Sequence, residues 1–380
     1  MRIFLIFIIP LVGGCFFYYL TNSFPYGWVM DSDTFLELAR NQSTILRNET
    51  KAFILILQGF LYLGMSDYMI MAVGNLCLAL GVAISASRIQ YSTFAALILF
   101  GILAPLIILF GHLVLRYHYF FLISGILVYL TQSFFSSENG CWKSLVVFLT
   151  IIFSIAGAFL HPLYSIAALT LTWCMIADLI RGRLVSVGLS IASLIFLAWF
   201  FYPEVSDGFA GQIPYVGDWH SVNRLLIIGL SKIYETSYYA SQASTSFSTA
   251  DTLSTAQSSM FRLLLDRAYG ISLMWLRFPF GSSNFLFSFF VSCSLLLVLI
   301  VTVFAVLDLK GDRALAACGL AGLAGGFVAL LFSGSLGTFI RHFGKFIVFF
   351  IPVLLVVMDS GLKTRVSAGV IFFRKKWMRL

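Results

Sequence analysis

Charge is what this chain has least of: 11% of its 380 residues are Asp, Glu, Lys or Arg, while 60% are hydrophobic. A soluble domain carries about 25% charged residues, so a water-soluble core of ordinary proportions is excluded. Cysteine is sparse and scattered. Cys15, Cys77, Cys141, Cys174, Cys293 and Cys318 form neither a metal-ligand spacing nor a disulfide framework. There is no phosphate-cradling Walker loop, no His-Glu-x-x-His zinc motif and no G-x-S-x-G elbow. The apolar runs hold no chain of ionisable residues, since Asp178 and Asp359 fall at their ends, which disfavours a proton-coupled pump. Strand alternation of the outer-membrane barrel kind is also missing. No internal repeat or separable soluble domain emerges.

What the chain has is a succession of apolar runs long enough to cross a bilayer as helices. In lipid every peptide group must be satisfied within its own segment, which favours helices over open strands. With the N-terminus in the cytoplasm, the expected spans are Phe4–Leu20, Tyr68–Ala86, Thr93–Phe110, His118–Leu130, Leu145–Leu160, Leu163–Leu179, Val185–Tyr202, Phe285–Leu307, Ala314–Phe332 and Phe346–Met358. The first follows Arg2 and lacks a small-residue cleavage site, and so is expected to be an uncleaved signal anchor. Ala52–Met65 is apolar but too short for a full crossing and reads as a half-inserted helix. The expected architecture is all-α: a polytopic helical membrane protein with about ten transmembrane helices and a half-inserted one, residues 1–380 forming a single integral membrane domain.

The distribution of Lys and Arg tests this orientation. The cytoplasmic connections hold Arg88, Lys143, Arg181, Arg183, Lys310 and Arg313, and the tail adds Lys363, Arg365, Arg374, Lys375, Lys376 and Arg379, as the positive-inside rule requires. The large external loop, residues 203–281, contains aromatic residues around Tyr215 and Trp219 and a Ser/Thr/Ala-rich tract suited to a flexible lid.

Four segments bring unusual polar residues to the external side. Asp31-Ser-Asp33 follows the first span. Its carboxylates suit sugar binding or general-base work, while a helix N-cap is the plainer alternative for one of them. His112-Leu-Val-Leu-Arg116-Tyr-His118 opens a span, with His112 and Arg116 on one helical face. Arg116 has a planar, permanently charged guanidinium that grips phosphate oxygens, although an interfacial arginine also snorkels to headgroups. Leu160-His161-Pro162 joins two spans, and His161 is either a hydrogen bonder in a turn or an acid or base near neutral pH. Finally, Arg341-His342-Phe-Gly-Lys345 opens the last span. Arg341 and Lys345 stack along one helical face, and an anion between them would relieve their repulsion. External positive charge runs against the orientation rule, which hints at a purpose.

The order of these pieces resembles the Wzy/EpsG-type polysaccharide polymerases, membrane glycosyltransferases that join lipid-linked repeat units. The resemblance is carried by Asp31-Ser-Asp33 after the first span, Glu49 opening the apolar helix that begins at Lys51, Leu115-Arg116 opening a span, Ala158-Phe-Leu-His161-Pro-Leu-Tyr164-Ser165 between two spans, and Arg341 before the last. It runs over nearly the whole chain. Two departures stand out: Arg116 is followed by Tyr117 where the family often has Gln or Gly, and Glu49 is followed by Thr50-Lys51 instead of proline. They bear on the roles of Tyr117, His118 and Glu49 more than on Arg116.

The resemblance implies a GT-C-like membrane enzyme in the bacterial inner membrane. Its substrate would be a polyprenyl-diphosphate-linked oligosaccharide, with membrane lipid and a chain-length regulator as partners and no nucleic acid, metal or cofactor. An acceptor hydroxyl would attack the anomeric carbon of the donor, and polyprenyl diphosphate would leave. Fixed cations in a low-dielectric site stabilise the charge that builds on such a leaving group. Arg116, Arg341, Lys345 and His342 would hold the diphosphate. His161, Asp33 and Asp31 would orient or deprotonate the acceptor, and Tyr215 and Trp219 would stack on sugars. A glycosyltransferase using a polyprenyl-phosphate sugar and a non-enzymatic lipid-linked saccharide flippase are the alternatives.

Overall fold

Short polar side chains at the ends of the apolar runs determine where helices begin. In a computed structural model, the described residues are 30–41, 48–111, 117–160, 164–179, 293, 296–300, 312–331 and 342–359. Nine helices cover most of them: α1 Met30–Arg40, α2 Asn48–Tyr62, α3 Asp67–Ala86, α4 Thr93–Gly111, α5 Tyr117–Ser136, α6 Gly140–Leu160, α7 Tyr164–Leu179, α8 Arg313–Leu331 and α9 Ile347–Asp359. Ser66 Oγ accepts from Met69 N–H ahead of α3, and Ser92 Oγ accepts from Ala95 N–H ahead of α4. Asn139 Oδ1 accepts from Cys141 and Trp142 N–H at the start of α6, and Asp312 Oδ1 accepts from Leu315 N–H at the start of α8. Each cap satisfies backbone donors that a helix start leaves unpaired.

No strand occurs among the described residues. Three helices there are long and apolar enough to cross a bilayer: α3, α5 and residues Gly140–Gly157 of α6. On α6, Leu145, Phe148, Ile151, Ile152 and Ile155 are exposed side by side. So large an apolar face is tolerable only against lipid or a partner. This is a helical membrane protein.

The expected half-inserted helix is α2, which is shorter than a crossing requires. It ends where Met65 N–H reaches Phe60 C=O and Gly64 N–H reaches Leu61 C=O, with Gly64 at φ +74°. That is a Schellman stop, which needs the left-handed backbone glycine adopts at no steric cost. Two expected spans prove longer than hydropathy suggests: α5 runs on past Leu130 to Ser136, and α6 begins at Gly140 ahead of Leu145. In α5 Thr131 and Gln132 are buried, Thr131 Oγ1 donating to Leu127 C=O and Gln132 Nε2 to Ser85 C=O. The expected spans Phe4–Leu20 and Val185–Tyr202 and the loop 203–281 lie outside the described residues, as does most of Phe285–Leu307.

The chain divides into two compact units, residues 1–175, 293–324 and 345–380 in one and 176–292 and 325–344 in the other. In the first, α3 and α5 form the main seam. Gly74 faces His118, Gly81 faces Phe121 and Gly125, and Ser85 meets Gln132, so the two helices run parallel, with α4 as the return. A methyl group on Gly125 would lie 2.2 Å from the Gly81 carbonyl oxygen. The backbones therefore touch, as small residues permit between membrane helices. At one end of this seam Arg88 stacks on Tyr129, 4.6 Å from the ring centroid, and donates to Tyr129 Oη and Ser136 Oγ. Lys143 lies over Phe134, and Asp359 at the close of α9 accepts from Ser92 N–H. The basic residues assigned to cytoplasmic connections at Arg88 and Lys143 thus gather at one end. In the second unit, Gly326 leaves room for the Phe343 ring, which a methyl group there would approach to 2.8 Å.

Candidate functional site

The opposite end of the α3–α5 seam is built by α1, α2 and the first turns of α3 and α5. Leu36 and Ala39 of α1 pack with Phe53, Ile54 and Leu57 of α2 and with Ile70 and Met71 of α3, and Tyr119 of α5 closes against them. Phe35 meets Phe53 edge-on at 5.3 Å, and Phe53 meets Tyr119 at 6.0 Å. Arg40 at the end of α1 pairs with Asp67 at the start of α3. Both partners are substantially exposed, so the pair fixes register more than it stabilises. The helix carrying Asp31 and Asp33 is therefore seated on α2 and tied to the start of α3. Both aspartates lie within α1, Met30–Arg40.

The start of α5 is sunk relative to α3. His118 lies against Gly74, whose missing side chain makes the contact possible: a methyl group there would be 2.6 Å from His118 Nδ1. Gly74 is seven positions into α3, a rise of about 10 Å, so the polar opening of α5 lies well below the Arg40–Asp67 pair. Tyr117 and His118 are both buried. Lys345, two positions before α9, is also buried, 3% exposed, with Nζ 4.2 Å from the centroid of the Tyr117 ring. Residues 345–346 form a turn between the helical residues 342–344 and α9. A desolvated cation over an aromatic face gains about 2 kcal/mol.

Beside Gly74 stands Asn75. It is 1% exposed, and neither its Nδ2 nor its Oδ1 has a hydrogen-bond partner. A carboxamide left in that state within a membrane helix costs several kcal/mol at most and about 1–3 kcal/mol in typical protein settings.

Of the residues singled out in the sequence, Lys345 is joined to the residue that follows Arg116. Asp31 and Asp33 lie on the helix docked at the same end, though their side chains lie outside the described residues. His342 is partly buried in the second unit. Arg116, His161, Tyr215, Trp219 and Arg341 fall outside the described residues. No group of His, Cys, Asp and Glu able to hold a metal occurs among the described residues. Sequence reasoning passed over Asn75 and gave His118 no firm role. The available signal was a Gly-Asn pair inside an apolar span, since a polar residue there invites a functional reading.

No protein-family model, no curated protein and no solved structure matches this chain.

Proposed function

We propose that this protein is a membrane glycosyltransferase that polymerises polyprenyl-diphosphate-linked oligosaccharide repeat units into a surface polysaccharide, working in a bacterial inner membrane with about ten crossings of a GT-C-like bundle. The observation that carries the reading is the contact of Lys345 with Tyr117. It brings Lys345, the last residue of the cationic segment, against the residue bonded to Arg116, two stretches far apart in sequence. Seating of the Asp31–Asp33 helix at the same end supports an acceptor site beside it.

In this reading Arg116, Arg341 and Lys345 stabilise the departing polyprenyl diphosphate as charge develops on it, with His342 contributing a further donor. His161, Asp33 and Asp31 orient or deprotonate the acceptor hydroxyl, and Tyr215 and Trp219 stack on sugar faces. A flippase needs a polar passage, and along the α3–α5 seam the contact of Gly81 with Gly125 leaves none.

The test is made in the cell that produces the polysaccharide. Arg116→Ala, Arg341→Ala and Lys345→Ala, each at wild-type membrane abundance, are expected to abolish long-chain ladders on gels and to leave whole lipid-linked repeat units accumulating. Undiminished ladders in all three overturn the proposal. Accumulation of incomplete units would instead indicate a single-sugar transferase.

A further inference from the structure

We propose that Asn75 binds the sugar that the lipid diphosphate carries, taking two adjacent hydroxyls or an acetamido group through its carboxamide; this rests on the diphosphate reading above. Asn75 is buried in α3, and both polar atoms of its side chain lack a partner. It follows Gly74, which accommodates the His118 ring, and His118 is in turn bonded to Tyr117, under the Lys345 ammonium. The unmet carboxamide lies on the buried stripe of α3 that continues from Met71, one residue along the helix from the Gly74–His118 contact.

The chemistry of the carboxamide narrows the ligand. A carboxamide offers two N–H donors and a carbonyl acceptor. Phosphate oxygens satisfy only the donors, and a cation satisfies only the carbonyl. An uncharged group presenting a donor and an acceptor side by side satisfies both, and sugar hydroxyl pairs and acetamido groups have that form. A site built to hydrogen-bond a hydroxyl or an N–H rejects ligands that lack it, because its own buried groups are then left unpaired. Asn75 would therefore set which first sugar is accepted, while Lys345 serves the diphosphate whatever sugar it bears.

Binding by the purified full chain in detergent separates these roles. The probes are undecaprenyl diphosphate alone and the same lipid carrying N-acetylglucosamine or galactose. Wild type is expected to bind at least one glycosylated probe about tenfold more tightly than the bare lipid. Asn75→Leu should keep its affinity for the bare lipid and lose that preference, and Lys345→Ala should weaken all three probes together. Asn75→Leu is expected to melt no lower than wild type, because it removes an unmet polar group. Asn75→Ser provides the same readout if the leucine fails to fold. Retention of the sugar preference by both Asn75 variants, or no preference in wild type, overturns the inference and leaves the diphosphate reading standing. Failure of wild type to bind even the bare lipid overturns both.

Discussion

Lys345 Nζ stands 4.2 Å from the centroid of the Tyr117 ring, and both side chains are buried. The attraction depends on the aromatic face and not on the phenol oxygen, which separates two substitutions at one position. Tyr117→Phe should keep the attraction to the ammonium, whereas Tyr117→Leu should lose about 2 kcal/mol relative to it. In a Lys345→Met background the same two substitutions should differ by much less, since the interaction they distinguish has gone. Thermal unfolding of the four variants and their parents in one detergent completes the cycle. A coupling near zero would mean that the ring is only filler beneath the ammonium.

The α3–α5 seam should be intolerant of a single carbon atom. A methyl group on Gly81 would come within 2.0 Å of the Phe121 carbonyl oxygen, and one on Gly125 would press on the Gly81 backbone. Neither obstacle is a flexible side-chain tip, so relief requires the helices to part. Gly81→Ala and Gly125→Ala are each expected to cost about 3 kcal/mol or more, at the upper end of overpacking effects, and to reduce folded protein in the membrane severely. Gly101→Ala is the control: its position in α4 faces open space. It should be neutral or stabilise by up to about 1 kcal/mol through helix propensity. Size-exclusion profiles of the three variants decide the matter.

The stop of α2 depends on one backbone conformation. Gly64 has φ +74°, and nothing lies within 4 Å of the place its side chain would take. Gly64→Ala is therefore resisted by backbone strain alone, at about 1 kcal/mol. Gly59→Ala, equally uncrowded but inside the helix, should gain about as much as Gly64→Ala loses. Equal melting temperatures for the two variants would show that Gly64 is not held in the left-handed region.

Hydropathy made the positions of the spans legible and their partners illegible. The starts of α3, α4 and α8 fall within a residue of the expected spans because a polar residue interrupts the apolar run there. The end of α5 lies past the expected Leu130 because hydropathy falls at Thr131, Gln132 and Ser133, whereas Thr131 and Gln132 are bonded to backbone carbonyls within the bundle. The start of α6 depends on a cap from Asn139, whose strength a hydropathy window does not register. That α3 runs parallel to α5 follows from Gly74, Gly81 and Gly125, and hydropathy gives glycine in such a seam little weight. At the site, charge placement singled out Lys345 from sequence alone. Its contact with Tyr117 joins segments whose separation along the chain leaves no local trace, and Asn75 was passed over for being uncharged.

The two ends of α3 offer a direct test of orientation. Arg88, Lys143 and Asp359 gather near its last turn, and Cys141 is exposed in the first turn of α6 beside Lys143. Arg40 of α1 pairs with Asp67 at its first turn, and Glu37 is exposed on the same helix. Short connections rich in Lys and Arg stay in the cytoplasm, so Cys141 should face inward and position 37 outward. In a variant with the remaining cysteines changed to Ser, a membrane-impermeant maleimide added to intact spheroplasts should leave Cys141 unlabelled until the membrane is permeabilised. With Cys141 also changed to Ser, Glu37→Cys should react at once. The reverse pattern would put the Lys345–Tyr117 end in the cytoplasm, where a polymerase of exported repeat units has no substrate.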